Sequence, residues 1–153
     1  MLILDKIPLM LVSYLTFMIT PISIDAAVKP LVVHNFIEEA QSNAFWKIAF
    51  ATGEHEQIVF MNISPQTNPN NEIGEEIHPF DQVILIVQGR GKALLNGKSS
   101  KVEEGDMIFI PKGTVHNVIN MNSKKELKII SFYSDTDIPK GSVYKKRADE
   151  QKS

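Results

Sequence analysis

Cysteine is absent from the 153-residue chain, which excludes disulfides, thiolate metal sites, iron–sulfur clusters and cysteine nucleophiles together. Any metal must therefore be held by nitrogen and oxygen ligands. An excess of charge is missing too: 16 Lys and Arg stand against 18 Asp and Glu, a formal net charge of −2. That balance gives no electrostatic footprint for phosphate backbones, so a nucleic-acid partner is not expected. No G-x-G-x-x-G, P-loop or zincin pattern occurs, and no internal repeat. With 43% apolar and 22% charged residues the composition is globular, which excludes a disordered or fibrous chain. The length suits one domain and not two.

One hydrophobic run is present. Residues 7–24 carry no charge, whereas beyond Lys29 polar and apolar residues mix normally. A spanning helix needs roughly 20 apolar residues, and Pro8, Ser13, Thr16, Thr20 and Pro21 dilute this stretch. Small residues follow at Ala26 and Ala27, which suits a signal-peptidase cut. The expectation is an export signal over residues 1–27. An uncleaved membrane anchor formed by residues 7–24 ranks second, and a buried domain segment third. Either of the first two places the folded part outside the cytoplasm, periplasmic or secreted, and cleavage would leave no membrane contact.

The remainder reads as short strands and turns. Within an extension over residues 28–45, residues 34–43 can hold one short helical stretch. Trp46, Ile48 and Phe50 alternate with smaller or polar residues, and residues 57–63 form a second β-rich run after Thr52-Gly53. Residues 64–71 are dense in Pro, Asn and Ser and read as a loop. Further runs lie at 83–87, 92–95, 107–110, 115–119 and 127–133. Asn96-Gly97 supplies the two positive-φ positions of a tight hairpin. Gly89, Gly91, Gly97, Gly105 and Gly113 all read as turn positions needing positive φ. Strands of this length and spacing predict an all-β sandwich or barrel. The polar ending, 146–153, either covers a barrel edge or hangs free as a solvated tail.

Four histidines occur, at 34, 55, 78 and 116, and singly each is more often structural than a ligand. Glu76 and His78 are two apart, so period-2 geometry points both to one face and leaves Glu75 on the other. Gln82 follows four residues later. Taken alone, this stretch is a polar strand end. Asp81 reads as a turn cap, and Arg90, Lys92 and Lys98 as a solvated face. Phe60, Phe80, Phe109 and Phe132 read as core before they read as pocket lining.

Downstream, Gly105, Pro111, Gly113, His116 and Asn120 stand at the spacing G-x5-P-x-G-x2-H-x3-N. This resembles, position by position, the second motif of the cupin superfamily. The first cupin motif, G-x5-H-x-H-x3-4-E-x6-G, places its two histidines on Glu76 and His78, its carboxylate on Gln82, its closing glycine on Gly89 and its opening glycine on Asn70. His78 and Gly89 alone keep the usual identities. The resemblance spans residues 70–134 and extends from Trp46 to Tyr144. It implies a conical antiparallel β-barrel of the jelly-roll type over residues 46–145, with one metal in its mouth held by Glu76, His78, Gln82 and His116. Two imidazoles, one carboxylate and one neutral amide suit Fe(II), Mn(II), Ni(II) or Zn(II) and leave open positions for a ligand.

The function so implied is binding of, or action on, a small organic molecule at the metal, with Glu76 as ligand and, when displaced, as base. A metal-dependent dioxygenase and an isomerase or lyase are the enzymatic versions. A non-catalytic ligand- or metal-binding module is the rival, and a sugar isomerase or epimerase the weaker third reading. Small cupins pair through exposed strand edges, so a homodimer is a further expectation.

Overall fold

The computed structural model describes residues 29–151. The apolar run at residues 7–24, and the export reading with it, lies outside them. The seven β-rich runs become strands and two unforeseen ones, β5 and β9, join them: β1 (Lys47–Thr52), β2 (Gln57–Ile63), β3 (Gln82–Gln88), β4 (Arg90–Leu95), β5 (Lys98–Glu103), β6 (Met107–Ile110), β7 (His116–Asn120), β8 (Leu127–Tyr133) and β9 (Val143–Tyr144). Two short helices, α1 (Phe36–Ser42) and α2 (Arg147–Glu150), flank them. A six-stranded sheet, β6-β3-β8-β2-β1-β9, faces a three-stranded one, β5-β4-β7, and every pairing is antiparallel. This is the all-β, antiparallel jelly-roll barrel that the sequence predicts.

The chain passes between sheets at Gly89, where φ is 91° and an added Cβ would lie 2.7 Å from the Glu126 carbonyl oxygen. No L side chain fits that conformation or that space. Gly91 departs from the expectation of positive φ: it lies within β4, and an added Cβ would meet the Ile119 oxygen at 2.5 Å. It serves the close approach of β4 to β7. Asn96 and Gly97 do form the hairpin, at φ 47° and 78°.

Period-2 alternation divides the six-stranded sheet into two faces. Val59, Met61, Ile63, Ile84, Ile86 and Ile129 point inward and meet Ala93, Val102 and Val118 of the smaller sheet in one buried cluster. Each such side chain, fully buried, stabilises by roughly 1.5–3 kcal/mol. On the outer face Phe60, Ile130 and Val87 are covered by Ala40 and Phe36 of α1. Phe60 stacks on Phe50 at 4.4 Å between ring centroids. Gln41 donates to the Val87 carbonyl at 2.7 Å, which ties α1 to the sheet.

The four phenylalanines therefore separate. Phe60 and Phe132 pack outside the barrel. Phe109 is 56% exposed on the edge strand β6, contrary to the core reading, because odd residues of β6 face away from the interior. Phe80 alone turns inward to the site. The Asp81 side chain bonds outside its own turn, contrary to the turn-cap reading: its Oδ1 accepts the Lys112 amide at 2.8 Å and tethers two loops.

Candidate metal centre

His116 opens β7, buried to 1% exposure. Its Nδ1 lies 2.9 Å from the Thr114 carbonyl oxygen. A carbonyl only accepts, so Nδ1 carries the proton and Nε2 keeps its lone pair for the barrel interior.

Glu76 and His78 lie in a non-strand segment drawn against β7 by a bridge between Glu76 and His116. The two backbones exchange both hydrogen bonds at 2.9 Å. That pairing keeps the alternation a strand would impose: Glu76, His78 and Phe80 turn inward, while Glu75, Ile77 and Pro79 are exposed. The His78 ring stacks on Phe80 at 5.0 Å, nearly parallel, and meets Tyr133 edge-on at 5.4 Å. Its Nδ1 faces Asp137 Oδ1 at 3.4 Å, which leaves Nε2 toward Glu76 Oε2, also at 3.4 Å. His116 Nε2 lies 3.8 Å from that same oxygen.

Donor atoms of Glu76, His78 and His116 all fall within 4.8 Å of one another. Donors bound at 2.0–2.2 Å to one ion lie about 3.0–3.5 Å apart, so the cluster is close to coordinating dimensions. Gln82, the fourth expected donor, stands on β3. It is buried, its Nε2 is anchored on Ser131 Oγ at 3.2 Å, and it is the β-ladder partner of Tyr133, whose ring touches His78. Four buried side-chain polar atoms among the described residues lack a hydrogen-bond partner; three are His78 Nε2, His116 Nε2 and Gln82 Oε1, and the fourth is Asn62 Oδ1. Buried polar atoms are almost always satisfied. The His78 and His116 lone pairs, orphaned together beside the Glu76 carboxylate, are what a cation would satisfy, so these three residues fit a metal.

Electrostatics agree. Burial opposes ionisation of Glu76, yet the neighbouring His78, then Lys47 and His116, outweigh it and hold the carboxyl below the ordinary glutamate range. Asp137 is raised, chiefly by burial, against the pull of Lys47 and His78. Burial, with the negative charges of Asp137 and Glu76, raises the Tyr133 hydroxyl well above the tyrosine norm and keeps it protonated.

Of the remaining expected residues, His34 and His55 are exposed and stand apart from the cluster. The motif's Asn120 is structural: its Nδ2 donates to the Ile63, Ser64 and Lys125 carbonyls, and its Oδ1 accepts the Asn122 amide.

Several residues at the site were not foreseen. Asp137 is held by Gln57, whose Oε1 accepts the amides of Asp137 and Ile138. Lys47, with its side chain 2% exposed, lies 3.9 Å from Glu76 Oε1 and 2.6 Å from Glu150 Oε1. Its signal was legible as the one charge among the apolar residues of β1, in the register that faces inward. Asp137 and Glu150 sit in polar stretches with no such signal. In the polar ending Arg147 and Glu150 reach the barrel, while Lys146, Ala148 and Gln151 are exposed.

Comparison with known proteins agrees with this geometry. A family model described as the cupin domain matches residues 66–133. The uncharacterized protein YrkC of Bacillus subtilis is 37% identical, over 82% of this chain and 68% of its own length. A crystal structure of BH2720 from Bacillus halodurans superposes with a TM-score of 0.75 at 32% identity, covering 82% of this chain and 96% of that one. A cupin superfamily protein from Desulfitobacterium hafniense shares the fold, with a TM-score of 0.56 at 18% identity over 72% of this chain and all of its own. The barrel and the motif spacing thus coincide with the family match and with relatives matched along most of the chain, and the protein belongs to the cupin superfamily.

Proposed function

We propose that this cupin is an exported protein that holds one divalent transition metal through Glu76, His78 and His116, with Gln82 Oε1 as a weaker fourth donor, and binds or transforms a small oxygen-donor molecule there. The observation that carries this reading is the convergence of the orphaned His78 and His116 Nε2 lone pairs beside the Glu76 carboxylate. Fe, Mn, Ni and Zn all suit such a donor set. When bound, the ion would supply Lewis acidity and a template for a chelating enol, hydroxy acid or similar ligand, with oxygen chemistry available to iron.

The chain's own residues set the conditions. Thr114 and Asp137 orient the two imidazoles, and Phe80 and Tyr133 restrict the His78 ring. Glu76, 24% exposed in its side chain, is the donor placed to take a proton from an incoming hydroxyl. Elemental analysis of purified protein, followed by oxygen-uptake assays on a panel of enols and diketones, tests the reading. Near-stoichiometric metal is expected, and turnover separates an enzyme from a binding module. Protein that retains none of the four metals after incubation would overturn it.

The export reading rests on residues 1–27, and N-terminal sequencing of cell-derived protein should begin near Ala27 or Val28. An intact Met1 in a soluble cytoplasmic fraction would overturn that part. The exposed Met107 and Phe109 on edge strand β6 support a homodimer, which sedimentation checks.

A further inference from the structure

Lys47 is a buried cation whose closest carboxylate comes from the last helix of the described chain. Its Nζ donates to Glu150 Oε1 at 2.6 Å, and the Trp46 indole N–H donates to Glu150 Oε2 at 2.8 Å. One carboxylate is thus gripped at both oxygens by neighbouring residues at the start of β1. The grip adjoins the metal centre directly. Glu76 turns Oε1 to Lys47 at 3.9 Å and Oε2 to the two imidazoles at 3.4 and 3.8 Å, so a single carboxyl group spans the two places.

Glu150 reaches this grip from α2, which has four residues and no buried side chain. Arg147 holds α2 down by donating to the carbonyls of Glu72 and Ile73 at 2.7 and 2.8 Å and by lying 5.2 Å over the Trp46 ring. A buried ammonium needs an anion close by. Here the closest anion is carried on that short helix at 2.6 Å, with Glu76 second at 3.9 Å.

Resting on the metal-centred reading above, we infer that the ligand is a small carboxylate, and that Lys47 Nζ and Trp46 Nε1 are its recognition groups. Glu150 is an internal stand-in that the incoming carboxylate displaces, lifting α2. The Glu76 carboxyl joins this seat to the His78 and His116 lone pairs, so the ligand class favoured is a carboxylate with a second oxygen donor, a 2-hydroxy or 2-oxo acid.

Trp46 is the single tryptophan, so its fluorescence reports the grip without a label. The experiment uses the full-length protein stripped of metal with a chelator, and benzoate as probe with neutral benzamide as control. An intramolecular competitor acts at an effective concentration of millimolar or more, so Glu150→Gln should bind benzoate at least about tenfold more tightly than the parent. Lys47→Met should bind at least about tenfold more weakly than the parent, and benzamide should bind none of the three proteins. Lys145 and Lys146, just before α2, and Arg147, its first residue, are trypsin sites, and benzoate should speed cleavage of the unaltered protein there, a readout that needs no variant to fold. Equal benzoate affinity in Glu150→Gln and the parent, benzamide binding as well as benzoate, or unchanged trypsin cleavage at saturating benzoate would each overturn the inference. Because no metal is present, failure here leaves the metal reading standing, and failure to load metal leaves this one testable.

Discussion

The two imidazoles of the site do the same work by different means. His116 sits on a strand, is almost wholly buried and hydrogen-bonds the carbonyl of a residue two positions before it. His78 sits outside any strand and is oriented by a carboxylate from the loop after β8, with Phe80 and Tyr133 confining its ring. One ligand is built locally by the backbone, and the other is assembled from distant side chains. Orientation carried by a backbone carbonyl survives side-chain substitution, whereas orientation carried by Asp137 does not. The half of the site on the well-matched second motif is therefore the robust half.

The comparison can be broken most forcefully at His116. His116→Ala should lower metal affinity by more than about 100-fold, as loss of a ligand exceeds the usual 10–100-fold of an outer partner, while circular dichroism shows a folded barrel. Equal metal content in variant and parent would defeat the assignment. Asp137→Ala should lower metal affinity about 10–100-fold. Gln57→Ala, which frees the Asp137 segment, should cost about 1–3 kcal/mol of stability in denaturant titrations through its unsatisfied partners, with a smaller loss of metal.

Glu76 sharpens the contrast through pH. Its carboxyl is held below the ordinary value, so its ionised form stabilises the fold above the unfolded pKa, and that contribution is lost as pH falls through the folded one. In metal-free protein, the Tm deficit of Glu76→Gln should be full near about pH 7 and shrink as pH falls below the ordinary glutamate range. Smallest of all, Thr114→Ala should leave metal affinity within about twofold, since the acceptor is the backbone carbonyl. His55→Ala should leave it unchanged. A large loss in Thr114→Ala would erase the distinction between the two imidazoles.

Much of the fold was legible because its determinants are local. Residues 57–63 and 127–133 read as strands and are strands over those same bounds, and Asn96-Gly97 turns where two successive positive-φ residues must. Glu76 and His78 were placed on one face by a period of two, even though their segment proved to be a bridge and not a strand. The faces of the aromatics were less legible. Alternation says that Phe60 and Met61 point opposite ways, but which side becomes the interior depends on where the second sheet and α1 settle.

By itself, the amino-acid order determined the strand and turn pattern, the shared face of Glu76 and His78, and the exclusion of thiolate chemistry. These follow from backbone geometry and residue type within a few positions, whereas the meeting of His116 with Glu76 and His78 was legible only through the resemblance to the two cupin motifs. Only the tertiary structure decided that Asp137 orients His78, that Gln57 anchors Asp137, and that Glu150 answers Lys47 from 103 residues away. A buried charge must find its partner wherever the folded chain passes, and no local period records where that is.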